Sequence, residues 1–406
     1  MEDPQEQPDY ADAIQAFLSF IKRVYKAEIV DPDPQRPVTP VFVPINEIQE
    51  YFEKNDQRRL KQLIVALFPS GNGIFHNDVL PNYIKVFCTL LHISKGKWMT
   101  YFRHHATLSD IALPFDPSSP PSKWPIDTED ADFLGKFCDA QWKFCPPEMS
   151  QPFIDRHFEN DRILPITFKE ILKTGGSATV SLIKVHPSYN KLIKEDEKKV
   201  SAPLDLTYST RRRITCHQKL DENANTFVLK TYFTSDAEKY YNTEVGAFRV
   251  IGPNSSIIGF RGSFTRGDTY NVLLEYADKG TLEDFFRTQD PPTDGEEIIQ
   301  FWEALFQIID ALRRIHEVKS DGISGPPVLS GYAATRLFLL ILLTSRCSWH
   351  QDVKPENILV VSNGSEDILD WQFKLADLGI SHFERKDSLR QDSNSSDTHG
   401  TRTYGG

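Results

Sequence analysis

The chain has 406 residues, 39% of them hydrophobic and 12% aromatic, and carries a formal net charge of −11 at pH 7. That length holds two or three domains with real cores. The acidic balance excludes a general binder of nucleic acid or anionic membrane, whose attachment depends on excess Lys and Arg.

The first elements are helical. Residues 11 to 27 place Ala13, Phe17, Phe20, Ile21 and Val24 at helical spacing, and the Pro-rich stretch Asp31 to Pro44 ends that helix. Helical periodicity returns over 45 to 69 and 78 to 105, and again from Asp130 to Trp142 after the loop Ser118-Ser119-Pro120-Pro121. Residues 1–155 thus read as a mainly helical N-terminal region without recognisable chemistry. His104 and His105 are adjacent and have no carboxylate or Cys partner at ligand spacing, so they read as ordinary histidines. Trp98, Tyr101 and Phe102 read as core. Cys88, Cys138, Cys145, Cys216 and Cys347 include no C-x-x-C pair, so reduced, mostly buried thiols are expected. Met1-Glu2-Asp3-Pro4 lacks the basic and apolar blocks of a signal peptide, which points to a cytoplasmic or nuclear compartment.

From Ile166 the pattern turns to short Val-, Ile- and Phe-rich strands. Phe168 to Leu172 and Thr179 to Val185 flank Lys173-Thr174-Gly175-Gly176-Ser177-Ala178, a strand, turn and return strand. The charged stretch His186 to Asn225, with Arg211-Arg212-Arg213, reads as a surface loop. Strand Thr226 to Tyr232 follows and carries Lys230. In Asp236 to Val250, Tyr241, Glu244, Val245 and Phe248 share one helical face, so Glu244 lies inside an apolar stripe and needs a cation. Ile257 to Phe264 and Tyr270 to Ala277 read as a hairpin turned at Arg266-Gly267-Asp268. Thr281-Leu282-Glu283-Asp284 opens a helix in capping-box style. A longer helix, Glu296 to His316, is expected to bury Ile298, Phe301, Leu305, Ile308, Ile309 and Leu312.

Trp349-His350-Gln351-Asp352-Val353-Lys354-Pro355-Glu356-Asn357-Ile358-Leu359 then puts Asp, Lys and Asn on one short loop entering a strand. Strand candidates Ile358 to Val361 and Phe373 to Leu375 lead to Asp377-Leu378-Gly379. The loop form H-x-D-x-K-P-x-N resembles the catalytic loop of the eukaryotic-type protein kinases, and Lys354-Pro355-Glu356-Asn357 resembles the serine/threonine branch.

The resemblance implies an α+β, two-lobed fold over residues 165–406. An antiparallel-sheet small lobe would span about 165–277 and an incomplete helical large lobe about 278–406. It implies ATP and Mg²⁺ as cofactors, a protein substrate presenting Ser or Thr, and neither nucleic acid nor membrane as partner. Lys230 would bridge the α- and β-phosphates, oriented by Glu244. Glu275 and Ala277 would offer backbone groups to adenine, with Leu274 as gatekeeper. Asn357 and Asp377 would hold Mg²⁺, Asp352 would accept or orient the substrate hydroxyl proton, and Lys354 would stabilise the transferring phosphate. In the phosphate-covering pattern G-x-G-x-x-G-x-V only Gly175 is kept, with Lys173 and Ala178 at the outer positions. Leu378 stands where the family has Phe. Gln351 replaces the Arg that pairs with a phosphorylated activation loop, so activity should not depend on that ion pair. A P-loop NTPase is excluded because no G-x-x-x-x-G-K-[ST] occurs.

Two departures qualify the likeness. After Gly400-Thr401-Arg402-Thr403-Tyr404-Gly405-Gly406 the family continues into further helices, so the resemblance omits much of the larger lobe. This keeps a catalytically impaired, kinase-derived module for nucleotide or protein binding as the alternative. Residues 332–348, with the apolar run Leu337 to Leu343, form an insert directly before the catalytic loop. The run is far short of the roughly 20 residues needed to span a bilayer. Deleting the insert joins Gly331 to Trp349 and restores a family-like approach, as a translated retained intron would. Sequencing transcripts across this point should recover messages lacking the insert; finding only messages that encode it in frame would reject that origin.

Overall fold

A computed structural model describes residues 10–28, 40–69, 76–193, 223–317, 348–349, 352–362, 364–365, 367, 370–378 and 382–383. The architecture is mixed α+β. The helices are α1 (Tyr10–Val24), α2 (Ile45–Leu67), α3 (His76–Asn82), α4 (Ile84–His92), α5 (Met99–Phe102), α6 (Phe133–Gln141), α7 (Ala237–Ile251), α8 (Leu282–Thr288) and α9 (Gly295–Glu317). The strands are β1 (Lys26–Ala27), β2 (Val41–Phe42), β3 (Met149–Ser150), β4 (Arg156–Phe158), β5 (Ile166–Thr174), β6 (Ala178–Val185), β7 (Asn190–Lys191), β8 (Thr226–Tyr232), β9 (Phe260–Arg266), β10 (Thr269–Glu275), β11 (Ser348–Trp349), β12 (Ile358–Val361), β13 (Gln372–Leu375) and β14 (His382–Phe383). Two compact units result. The first comprises the described residues within 1–150, 159–169 and 184–191, and the second those within 151–158, 170–183 and 192–406.

The first unit is built on aromatic packing. Phe17 of α1 stacks on Phe52 of α2 at 5.8 Å between ring centroids, and Phe102 stacks on Phe137 at 5.9 Å. Phe17, Phe20 and Ile21 are buried as their spacing predicts. The periodic stretch 78–105 is not one helix. It breaks at Ser94, which takes φ 61°, and at Gly96, where a Cβ would lie 2.9 Å from Leu67 Cδ2. Close packing of that turn against α2 thus overrides the periodic pattern. The expected surface loop after His186 is also corrected in its first residues. Tyr189 is buried, its hydroxyl accepts from the Ile45 amide at 3.0 Å, and β7 pairs in parallel with β3. One aromatic with a hydrogen-bond partner is enough to seat a charged segment.

Two titratable groups bracket α4. Asp110 accepts the Lys85 and Val86 amides at 3.0 and 2.9 Å, capping the helix start from a distant loop. At the other end, His92 Nε2 lies 2.9 Å from Lys143 Nζ.

Most of the six-stranded sheet, in the order β4-β9-β10-β8-β6-β5, belongs to the second unit. β10 runs antiparallel to both β8 and β9, with Lys230 opposite Val272. The β4 edge is absent from the sequence reading, which assigned no element to residues 156–164. Three residues are too short a run to show alternation. β4 lies parallel to β9, and the adjoining approach is so close that a Cβ on Gly262 would sit 2.4 Å from the Phe153 carbonyl oxygen. The capping box is present: the Asp284 amide donates to Thr281 Oγ1 at 3.1 Å, and the Thr281 amide to Asp284 Oδ2 at 3.0 Å. On α9 the buried line is Ile308, Ala311 and Ile315, flanked by Phe301, Leu305 and Leu312. Ile298 and Ile309, expected inside, are 38% and 37% exposed, because two alanines, Ala304 and Ala311, let the helix approach on a face rotated from its bulkiest residues.

Burial raises the Asp110 carboxyl from 3.8 to about 6 despite its amide donors, and burial with Lys143 nearby lowers His92 from 6.5 to about 4. A raised carboxyl pKa removes stability as pH rises from 3.8 to 6, whereas a lowered imidazole pKa removes it as pH falls from 6.5 to 4. The two trends oppose each other. Asp110→Asn should therefore make the urea midpoint fall more steeply than wild type on acidification from pH 6.5 to 4, and His92→Gln should reverse the slope.

Candidate active site

Lys230 and Glu244 meet where α7 crosses the sheet. Lys230 Nζ donates to Glu244 Oε1 at 3.2 Å and to Asp377 Oδ1 at 2.8 Å. Glu244 is completely buried among Tyr241, Val245 and Phe248, as its place in the apolar stripe predicts. Its second oxygen, Oε2, accepts a hydrogen bond from the Tyr232 hydroxyl. Burial opposes the charge on Lys230, but the two carboxylates outweigh it and raise its pKa well above the usual value. Burial pushes Glu244 upward, and the Lys230 charge opposes that shift.

The helix carrying Glu244 is fixed from the β4 side. Asp155, in a left-handed conformation at φ 50°, accepts from the Tyr241 hydroxyl at 2.8 Å, from Ser263 Oγ at 3.2 Å and from Arg249. Tyr241 lies one helical turn before Glu244 on the same face, so this carboxylate sets how α7 rests on the sheet.

A second cluster forms at the loop before β12. The Asn357 amide side chain donates to the Asp352 carbonyl and to Asp352 Oδ2, both at 2.9 Å, and Lys354 Nζ donates to the same Oδ2. A backbone bond from Asn357 N to Lys354 O at 2.9 Å closes the turn. Asn357 is buried at the start of β12, which pairs antiparallel with β13. The Ala376 amide then donates to Asn357 O at 2.8 Å, tying the end of β13 to the loop. The next residue, Asp377, takes φ 59° and turns its carboxylate to Lys230. The two clusters, far apart in sequence, are thereby joined through one strand pair.

Gly175 lies in the β5–β6 turn, its amide donating to Ala178 O at 2.9 Å, and an added Cβ would meet only that oxygen, at 3.5 Å. Among the described residues nothing there demands a glycine. The Glu275 carboxylate is committed to Lys374 Nζ at 2.8 and 2.9 Å and to the Gly259 amide at 2.9 Å. Any contact by Glu275 to a ligand would thus fall to its backbone. The Ala277 carbonyl accepts from Gly280 N at 3.4 Å, and among the described residues the Ala277 amide donates to no backbone carbonyl. His350, Gln351, Gly379, the segment after 383 and the insert up to 347 lie outside the described residues.

Asn357 uses its nitrogen toward Asp352, which leaves the amide oxygen, with the Asp377 carboxylate, as the oxygen donors a hard cation takes. Among the described residues no group of three or more His, Cys, Asp or Glu forms a closed metal cage. Amide and carboxylate oxygens are the donor types Mg²⁺ takes, with water and phosphate in its remaining positions. Sequence reasoning missed Tyr232, Lys374 and Asp155. Tyr232 alone had a signal, since it stands two residues from Lys230 and so on the same strand face.

No protein-family model matches the chain. Over 138 residues, 34% of this chain, it is 24% identical to a fibroblast growth factor receptor of Strongylocentrotus purpuratus, and the match spans 12% of that protein. The chain therefore has a distant likeness to part of that receptor.

The Glu275–Lys374 pair is nearly enclosed, with side chains 17% and 10% exposed. Removing one partner strands a desolvated charge, so Glu275→Ala should cost about 3 kcal/mol in chemical denaturation, while Glu275→Leu with Lys374→Met should cost much less.

Proposed function

We propose that the chain is an ATP-dependent protein kinase that transfers the γ-phosphoryl group of Mg-ATP to a serine or threonine hydroxyl. The observation that carries this is the convergence of Lys230, Glu244 and Asp377 with the Asp352–Lys354–Asn357 loop, joined by the Ala376–Asn357 backbone bond. A structural ion pair needs Lys230 and Glu244 only. It does not call for an additional partly exposed aspartate or for a second polar loop carried on the adjoining strand.

In this reading the nucleotide α- and β-phosphates compete with Asp377 for the Lys230 ammonium, while Glu244 keeps its own side of that ammonium. Asn357 and Asp377 would hold Mg²⁺, which when bound neutralises phosphate charge. Glu275 and Ala277 would present backbone groups to adenine, and Gly175 would let the β5–β6 turn approach the phosphates. Lys354 and Asn357 grip one oxygen of Asp352 and so fix the rotation of its carboxylate. Asp352 then takes the hydroxyl proton as the hydroxyl oxygen bonds to the γ-phosphorus, the bond to the β–γ bridging oxygen breaks, and ADP departs. Lys354 stabilises the negative charge on the moving phosphoryl group.

The serine/threonine assignment rests on Lys354-Pro355-Glu356-Asn357; the receptor match gives it no support. With Mg-ATP and a generic protein acceptor, the wild-type chain should transfer labelled phosphate to serine and threonine. Asp352→Asn should lower transfer by about 10²-fold or more, the loss expected for a positioned acid–base group. Equal background from both proteins would reject catalysis, and label found on tyrosine alone would reject the hydroxyl class.

A further inference from the structure

Tyr232 is one of the largest fully buried side chains in the protein and belongs to no part of the chemistry assigned above. It sits two residues after Lys230 on β8, so both side chains leave the same face of the strand toward α7. Its hydroxyl donates to Glu244 Oε2, while Lys230 takes Oε1. The Lys230 ammonium lies 5.3 Å from the centre of the Tyr232 ring, within reach of its electron-rich system. The ring is itself steadied by stacking on Tyr240 at 6.2 Å with 20° between planes.

We infer that Tyr232 is a positioning residue, which holds the Glu244 carboxylate by one oxygen so that the other stays on Lys230 when phosphate displaces Asp377. The last clause rests on the nucleotide reading; the hold on Glu244 does not. A carboxylate with no solvent contact needs donors for both oxygens, and here each oxygen has one. With only Lys230 as donor, Glu244 would be free to rotate about its terminal bond and would follow the ammonium wherever an anion drew it. Burial raises the Tyr232 phenol, and the neighbouring Glu244 charge adds to that, so the hydroxyl keeps its proton and remains a donor.

A residue that merely fills space would give a different result on loss of its hydroxyl. Tyr232→Phe keeps the ring, the stack and the strand, and removes one oxygen. Two readouts on the full chain decide, each made after circular dichroism has established that the variant is folded. The first is the rate at which a small amine-acylating reagent modifies Lys230 without nucleotide. The second is the dissociation constant for Mg-ATP. For Tyr232→Phe the labelling rate should rise and the Mg-ATP affinity fall, each about tenfold, the scale of a hydrogen bond to a charged group. Tyr240→Phe should stay within twofold on both.

In a Glu244→Gln background, adding Tyr232→Phe should change labelling by less than twofold, because the carboxylate through which the hydroxyl acts is gone. Labelling unchanged in Tyr232→Phe, or raised equally with and without Glu244, would overturn the proposal. A rise in labelling together with no Mg-ATP binding by wild type would leave the hold on Glu244 standing and reject the nucleotide reading instead. Should Tyr232→Phe fail to fold, 3-fluorotyrosine at position 232 keeps the shape and makes the hydroxyl a stronger donor. Slower Lys230 labelling in that protein supports the proposal, and an unchanged rate overturns it.

Discussion

A carboxylate with no access to water is the constraint around which the second unit is arranged. Leaving Glu244 buried without a partner would cost several kcal/mol. That cost forces α7 to cross the sheet where a cation rises from it, and Lys230 on β8, an inner strand, supplies the charge. The inner position matters because both edges of β8 are hydrogen-bonded to neighbouring strands, so the lysine starts from a fixed backbone. Asp377 completes the set only because β13 pairs with β12 in a register that opposes Leu375 to Ile358 and brings the Ala376 amide onto Asn357. Three elements remote in sequence thus share one charge balance, and each needs the other two.

Much of this was legible in the order of residues, for reasons that differ from place to place. Glu244 could be read because a charge inside an apolar helical stripe is conspicuous, and the Thr281–Asp284 cap because its partners are three residues apart. The Asp352 loop could be read because its three polar side chains serve one another within six residues. What escaped notice depends on contacts that no local pattern encodes. Lys374 finds Glu275 across 99 positions, and Asp155 finds Tyr241 across 86. β4 is too short to alternate, and Tyr189 lies in a charged stretch whose composition argued for solvent. On α9 the size of the residues misled, since the small Ala304 and Ala311 mark the line of closest approach better than the large isoleucines beside them.

The first unit uses the same kinds of groups for another end. Its cysteines are free and buried, and burial lifts the Cys88 thiol well above its ordinary range. Asp110 and His92, which in a cleft would invite a chemical role, are here the two terminal fittings of α4. A perturbed titration by itself therefore does not mark a chemical site in this chain.

The Asp155 clasp on α7 carries a consequence for acid tolerance. Burial works against the charge of this carboxylate, but Arg249, Tyr241 and Ser263 together hold its pKa below the ordinary 3.8. A depressed carboxyl loses its contribution only as pH falls through that lowered value. The clasp thus stays closed throughout the interval, from about 6.5 down to about 4, in which the α4 fittings change protonation. Mild acid retunes the helical unit while the attachment of the Glu244 helix to its sheet is left as it was.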